Sequence, residues 1–268
     1  MKPRVLSALE RLQNRRGGVI RGRVGLVTHP AAVDSRLRHS TEVLAGIPGL
    51  QLLALFGPEH GLHAHAQDLI PVDASEAPQG PRYFSLYGST VESLRPTPEM
   101  LAGLDVLVID LQDVGTRCYT FLATTLYCLE AATEAGLPVI VLDRPNPIGG
   151  RAVEGPLLRP GFESFVGPLP VCVRHGMTLG ELANFHVRSR GLRCRLTVEA
   201  CGGLKRQFHF DQTRLPWVMP SPNMPSPETA LVYPGQVLIE GTNLSEGRGT
   251  TRPFEICGAP WLDPQVLA

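Results

Sequence analysis

The sequence has no excess of charge of either sign, because its 268 residues include 25 Lys and Arg and 25 Asp and Glu. A balanced charge gives no general attraction for nucleic acid or for an acidic membrane surface. No apolar run approaches the ~18 residues that a membrane-spanning helix needs. The composition therefore predicts no nucleic-acid partner and no membrane span, and its 43% hydrophobic residues are those of an ordinary globular protein.

The N-terminal region and the cysteines also lack familiar signals. Residues 1–16 carry charges throughout and contain no apolar segment like that of a signal peptide, so we expect a cytoplasmic chain unless a leader preceded it. No two cysteines form a C-x-x-C pair or a zinc-ligand spacing, and four lie among apolar or helical residues, so we expect free buried thiols. The six cysteines are Cys118, Cys128, Cys172, Cys194, Cys201 and Cys257.

Three cofactor and nucleophile motifs are missing as well. The first predicted strand is not followed by G-x-G-x-x-G, and neither G-x-x-x-x-G-K-[ST] nor G-x-S-x-G occurs. The sequence thus gives no support to dinucleotide, P-loop or serine-elbow chemistry, and we expect no cofactor.

Glycine and proline, by contrast, are abundant, with 28 and 25 residues that stand in short groups between apolar runs. This distribution indicates many shaped loops. The apolar runs at residues 24–27, 50–56, 105–111 and 139–142 predict strands, and helical patterns at 5–15, 37–45 and 121–134 alternate with them. The run at 105–111 (DVLVIDL) has no polar face, which is typical of a parallel strand covered on both sides.

This alternation predicts an α/β fold with a Rossmann-like, doubly wound and mostly parallel sheet over residues 1–150. Beyond residue 150 the pattern changes, and we expect a second, smaller mixed α/β domain over residues 151–268. There a capping box at Thr178 opens a helix, and residues 195–200 alternate with period two, which favours a half-buried antiparallel strand. The proline-rich segment 217–227 is expected to be stiff and extended.

The predicted strands end in loops that carry acids, arginines and histidines. Glu59 and His60 directly follow a Gly-Pro break at residues 57–58, at the carboxyl end of a strand, where open α/β sheets bind ligands. Such a cleft of acids and arginines suits acid/base hydrolysis of a polar, anionic substrate. Other readings stay open: Glu59 could cap the next turn, Asp113 and Asp143 could tie loops to backbone N–H groups, and Arg248 could be solvated.

A metal site is the remaining possibility in these loops. Residues 60–65 (HGLHAH) contain three histidines but no flanking acid at ligand spacing. We therefore expect no metal.

Five ordered motifs resemble those of one protein family. They are FGPEHG at 56–61, QDVG at 112–115, DRPNP at 143–147, SPNMP at 221–225, and the segment that starts with EGTN at 240–243 and runs to Thr250. Together they resemble the NamZ-like exo-β-N-acetylmuramidases, a family long catalogued as a bacterial domain of unknown function. The resemblance implies a Rossmann-like domain joined to a smaller domain, with the active site between them. It also implies removal of N-acetylmuramic acid from the non-reducing end of peptidoglycan fragments, with Glu59 at the position of the suspected catalytic glutamate.

On this basis we expect a glycosidase that acts on peptidoglycan-derived muramyl saccharides. The expected catalytic residues are Glu59, His60, Asp113 and Asp143. The expected substrate-binding residues are His29, Arg117, Arg144, Asn146, Asn223, Glu240, Asn243, Glu246 and Arg248. An Arg fork binds the lactyl carboxylate of muramic acid better than Lys does, and Arg248, between two glycines, is the first candidate for that contact.

The sequence departs from the family pattern in two places. Family members usually continue beyond Trp261, so we expect the second domain to be incomplete. They also carry an acid in the loop after Gly61 where residues 62–68 of this chain read LHAHAQD, which puts a role for that loop in question. The alternative reading is therefore a non-catalytic module that binds peptidoglycan or a sugar.

Overall fold

A computed structural model describes residues 4–15, 18, 20–61 and 80–267 of the chain. Its central element is a six-stranded sheet with the strand order β3-β2-β1-β4-β5-β8, in which every neighbouring pair is parallel. The strands are β1 (Gly22–Thr28), β2 (Leu50–Gly57), β3 (Arg82–Ser85), β4 (Val106–Asp110), β5 (Val139–Leu142) and β8 (Leu196–Glu199). This order is that of a Rossmann-like sheet and confirms the predicted α/β fold.

Helices connect and cover these strands. They are α1 (Ala8–Asn14), α2 (Ser40–Ala45), α3 (Pro98–Leu101), α4 (Phe121–Glu134), α5 (Leu179–Arg190), α6 (Phe210–Thr213), α7 (Pro227–Gln236) and α8 (Pro264–Leu267). Short 3-10 helices span Val91–Leu94 and Val237–Gly241. None of the helices in the part of the chain that the structure describes is long and apolar enough to cross a membrane.

The helix ends follow local sequence signals. The Thr178 hydroxyl accepts a hydrogen bond from the Glu181 backbone N–H, and the Glu181 side chain returns to the Thr178 N–H, so the predicted capping box opens α5. The helix ends at Gly191, whose φ of 61° belongs to the left-handed region that glycine adopts without strain.

The core lies on both faces of the sheet. On β4, Leu107 and Ile109 belong to one apolar cluster, and Val106 and Val108 belong to the cluster on the opposite face. All five β4 residues are buried, which confirms the prediction of a strand without a polar face.

Two features beyond residue 150 were not expected. The strand at 195–200 was predicted to be antiparallel, and this is wrong: β8 pairs in parallel with β5 and forms an edge of the main sheet. Its half-buried pattern reflects that edge position, where a strand can alternate between core and solvent. A two-stranded antiparallel ribbon, β6 (Glu154–Leu157) and β7 (Cys172–Arg174), was not predicted at all. The boundary at residue 150 stays a prediction, although the sheet includes a strand from beyond it.

The proline-rich segment and the cysteines both differ in part from the predictions made for them. The segment predicted to be extended over 217–227 has a turn at residues 222–223, and α7 begins at Pro227 with Ser226 as its N-cap. All six cysteines are free, as predicted, but the expectation that they are buried is wrong for most of them: Cys128 is buried, Cys257 is exposed and the other four are partly buried.

Candidate functional site

Parallel strands bring the predicted polar loops to one edge of the sheet. His29 follows β1, Glu59 follows β2, Asp113 follows β4 and Asp143 follows β5. The strand order nevertheless separates them, because β2 and β5 lie three steps apart. At about 4.8 Å per step, the ends of these two strands are roughly 14 Å from each other. The predicted site residues therefore do not all meet in one cavity.

A cavity of about 300 Å³ lies beyond the end of β2. Its walls come from the loop after β2, the start of α4, the proline-rich segment and the residues that follow α7. Five of the predicted site residues line this cavity, which we therefore call the main cavity: Glu59, His60, Asn223, Glu240 and Arg248.

Glu59 is the best-defined acid of this cavity. Its side chain is only 5% exposed, and the Thr120 hydroxyl donates a 2.6 Å hydrogen bond to Glu59 Oε2. The next residue, His60, adopts a left-handed φ of 71°, a conformation that is uncommon for a residue other than glycine. Gly61 closes the turn with a backbone hydrogen bond to Pro58. The sharp turn holds the Glu59 carboxylate in the cavity wall.

Tyr119 and Thr120, immediately before α4, are site residues that the sequence analysis missed. Burial raises the pKa of Tyr119, and the nearby carboxylates of Asp113 and Glu59 raise it further, so its hydroxyl keeps its proton. The start of α4 was predicted at Phe121, and a threonine directly before a helix was the signal that could have drawn attention to Thr120.

Arg248, which lines the same cavity, is held by two acids. Its Nε donates a 2.8 Å hydrogen bond to Glu246 Oε1, and its Nη2 donates to Glu240 Oε1. The guanidinium carbon also lies 5.7 Å from the centre of the Phe254 ring. The cavity thus combines the Glu59 carboxylate with an acid–arginine–acid cluster.

Asp143 does not reach this cavity. It lies on a second cavity of about 360 Å³, accepts hydrogen bonds from the Thr178 hydroxyl (2.7 Å) and the Gly180 N–H (2.9 Å), and so ties α5 to the end of β5. Burial raises the pKa of Asp143 to about 6, against the lowering effect of those hydrogen bonds. This placement does not support the predicted catalytic role of Asp143.

Asp113 is also buried away from the cavity. Its Oδ2 accepts a 2.7 Å hydrogen bond from the Gly115 N–H and lies 3.6 Å from His175 Nε2. The contact fixes a turn in which Gly115 has a φ of 86°. Loop fixation was the alternative that the sequence left open for both aspartates, and their contacts fit it.

Two of the three predicted substrate-binding arginines have other contacts. Arg144 forms a buried ion pair with Asp110, at 2.5 Å and 2.9 Å. Burial alone would lower the pKa of Arg144, but the charge of Asp110 outweighs it and raises the pKa. Arg117 Nη1 donates hydrogen bonds to the carbonyl oxygens of Pro156 (2.9 Å) and Val171 (2.5 Å). Of the three, only Arg248 lines the main cavity.

His29 and Asn146 likewise serve the scaffold. His29 Nε2 accepts a 2.9 Å hydrogen bond from the Gln112 N–H, and burial holds the pKa of His29 well below its usual range. Asn146 lies beside the second cavity and donates to the Met177 carbonyl oxygen at 2.9 Å.

The last predicted residues lie near Arg248. Glu246 is nearly buried and binds Arg248, while Asn243 is exposed on the preceding loop.

For a metal ion, the described residues offer no group of three or more His, Cys, Asp or Glu side chains in a suitable arrangement. The histidines at 63 and 65 lie outside the described residues, as does the segment at 62–68 that departs from the family pattern.

Comparison with known proteins identifies the family. Residues 24–228 match the family model described as exo-beta-N-acetylmuramidase NamZ, N-terminal, and residues 231–268 match the C-terminal model of the same name. The chain is 48% identical over 268 residues to the peptidoglycan beta-N-acetylmuramidase NamZ of Bacillus subtilis (strain 168). That alignment covers 99% of this chain and 64% of the relative, so the chain spans less than two thirds of its length.

Solved structures show the same fold. A crystal structure of a DUF1343 family protein from Bacteroides fragilis NCTC 9343 matches with a TM-score of 0.91 and 37% identity, over 100% of this chain and 68% of that one. A second DUF1343 family protein from the same organism matches with a TM-score of 0.78 and 32% identity, over 96% of this chain and 68% of that one. The motifs, the sheet and these matches agree, and the chain belongs to the exo-beta-N-acetylmuramidase NamZ family.

Proposed function

We propose that this chain is a glycosidase that removes β-linked N-acetylmuramic acid from the non-reducing end of peptidoglycan fragments. Family membership and the named activity of the Bacillus subtilis relative support the proposal. The observation that carries it is the geometry of Glu59, a nearly buried carboxyl group held by Thr120 in the wall of a cavity.

Glycoside hydrolysis requires an acid that protonates the leaving oxygen, and commonly a second carboxylate that acts as base or nucleophile. Glu59 suits the first role. Thr120 donates to Oε2, so Oε1 is the oxygen better placed to carry and deliver a proton. Glu240 suits the second role, because it lines the same cavity and its ion pair with Arg248 holds it in position.

The size of the cavity supports removal of a terminal sugar. Its volume of about 300 Å³ is at the lower end of the usual range for small-molecule sites, which suits one sugar unit better than a stretch of polysaccharide. Arg248 supplies a positive charge in the cavity wall for the lactyl carboxylate that distinguishes muramic acid from glucosamine.

The test is hydrolysis of a chromogenic β-N-acetylmuramide beside the matching β-N-acetylglucosaminide. We expect turnover of the muramide by the wild-type chain. On methyl β-N-acetylmuramide, whose alkoxide leaving group needs a proton, we expect a loss of about a hundredfold or more in kcat for Glu59→Gln. Glu42→Gln is the matched control, because it makes the same change at an exposed position on α2 and should retain full activity.

Two outcomes would contradict the proposal. A folded Glu59→Gln variant with wild-type turnover would remove Glu59 from the reaction. Binding of muramyl ligands without any turnover by the wild-type chain would favour a non-catalytic sugar-binding module.

A further inference from the structure

Exposed apolar side chains lie at the mouth of the main cavity beside the exposed Glu240, whereas Glu59 lies buried inside. Residues 158–171 connect the two strands of the β6–β7 ribbon, and within them Ser164 and Gly167 exchange two backbone hydrogen bonds of 3.2 Å and 3.0 Å. The tight turn places Phe165 and Val166 at its tip, where both line the cavity. Leu238, from the 3-10 helix after α7, lines the same cavity.

The Phe165 ring is fixed by its neighbours. Its centre lies 5.8 Å from that of Tyr87 and 6.1 Å from that of Tyr127, and the second pair is stacked. Contacts of this kind stabilise a ring in one orientation. Phe165 therefore offers an oriented aromatic surface, which a freely rotating side chain would not.

The ribbon that carries this turn is itself anchored to Arg117, which directly precedes residues that line the cavity. Arg117 Nη1 donates to the carbonyl oxygens of Pro156, on β6, and Val171, just before β7. The Arg117 N–H also donates to the Val173 carbonyl oxygen at 2.8 Å. Because residues 118–120 directly follow Arg117 and line the cavity, the same segment fixes both the interior and the ribbon.

Exposure indicates which part of a substrate meets these apolar side chains. Glu59 is 5% exposed, whereas Val166 is 53% and Leu238 is 65% exposed. A sugar whose glycosidic oxygen meets Glu59 therefore lies inside, and the group on the other side of that oxygen extends towards the mouth. Exposed apolar side chains at that point face the leaving group.

We propose that Phe165, Val166 and Leu238 form a binding platform for the leaving-group sugar. This inference rests on the proposed glycosidase function. One face of such a sugar ring carries mainly C–H groups, and packing of that face against an aromatic ring removes apolar surface from water.

The test compares two substrates that differ only in the leaving group. One is methyl β-N-acetylmuramide, which has no second sugar, and the other is N-acetylmuramyl-β-1,4-N-acetylglucosamine. We expect Phe165→Ala to lower the ratio of kcat/KM for the disaccharide over the methyl glycoside about tenfold. That factor corresponds to burial of roughly 50 Å² of apolar surface.

Phe162→Ala is the matched control. Phe162 stands in the same connection and is 70% exposed, but it does not line the cavity, so its removal should leave the ratio unchanged. Leu238→Ser provides a second test from a different element, the 3-10 helix after α7, and should lower the ratio even if Phe165→Ala destabilises the turn.

The outcomes separate the inference from the proposed function. Equal losses on both substrates, or an unchanged ratio in both platform variants, would overturn the platform while leaving the glycosidase intact. If the wild-type chain cleaves neither substrate, the proposed function itself fails and the platform fails with it.

Discussion

Substitution of Asp143 can show whether this residue stabilises the fold or takes part in the reaction. The side chain is almost completely buried, and both of its oxygens accept hydrogen bonds from the start of α5. Asp143→Asn keeps the shape and an acceptor for the Gly180 N–H, but it removes the charge. The Thr178 hydroxyl then loses its acceptor, which costs about 1 kcal/mol at every pH.

The pH dependence follows from the pKa of Asp143, which burial raises from 3.8 to about 6 in the folded chain. A group whose folded pKa is raised contributes stability that is fully present below the unfolded pKa and is lost as pH rises to the folded pKa. Each pH unit in that window lowers the free energy of unfolding by about 1.4 kcal/mol. Between pH 4.5 and pH 7, the wild-type chain should therefore lose about 2 kcal/mol relative to Asp143→Asn.

The measurement is urea unfolding of both proteins at pH 4.5, 5.5, 6.5 and 7, followed by tryptophan fluorescence. The relative change of about 2 kcal/mol corresponds to roughly 4–8 °C in Tm for a chain of this size. The lost Thr178 hydrogen bond costs the same at every pH. The pH dependence of the difference in unfolding free energy between the two proteins therefore reports the Asp143 carboxyl group alone. Two stability curves that stay parallel from pH 4.5 to 7 would refute the reasoning, and a large loss of turnover in the variant would return Asp143 to the active site.

Three further changes test the main cavity and the scaffold. Thr120→Val removes the hydrogen bond to Glu59 and should lower kcat about tenfold, with Thr120→Ser retaining most of it; equal activity in both variants would show that the hydroxyl is dispensable. Arg248→Ala should weaken binding of muramyl ligands about tenfold more than that of glucosaminyl ligands, measured by calorimetry, whereas equal losses would indicate that Arg248 only shapes its loop. Arg144→Met should destabilise the fold by about 3–5 kcal/mol in urea unfolding, because Asp110 would remain buried without its partner, and a partial recovery with Asp110→Asn added would identify that charge as the cause.

The sheet could be predicted from the sequence because its strands are buried on both faces. A strand such as β4 reads as a continuous apolar run, and the helix predicted at 121–134 has the bounds of α4. The ribbon of β6 and β7 could not be predicted in this way. Its first strand, Glu154–Leu157, is fully exposed and contains glycine and proline, so hydrophobic periodicity carried no signal.

The candidate site was predicted only in part, because chain order does not give strand order. The sequence correctly placed acids after successive strands, but nothing in it stated that β1 and β4 lie between β2 and β5. Glu59 and Asp143 therefore appeared equivalent in the sequence and are separated in the structure. The convergence of Glu240 and Arg248 on Glu59 follows from long-range packing around α7, which local patterns do not encode.

The charge of the cavity limits how strongly it can select a muramyl ligand. Two acids, Glu240 and Glu246, stand against one positive charge on Arg248, whose Nε and Nη2 already donate to them. A lactyl carboxylate must therefore share the guanidinium with Glu240 and Glu246, and like charges at short distance weaken one another's binding. The gain in binding free energy that this contact gives a muramyl over a glucosaminyl ligand should accordingly lie near the lower end of the range of about 1.5–3 kcal/mol for charge-assisted hydrogen bonds. The remaining specificity for the muramyl group then has to come from the shape of the cavity around that sugar.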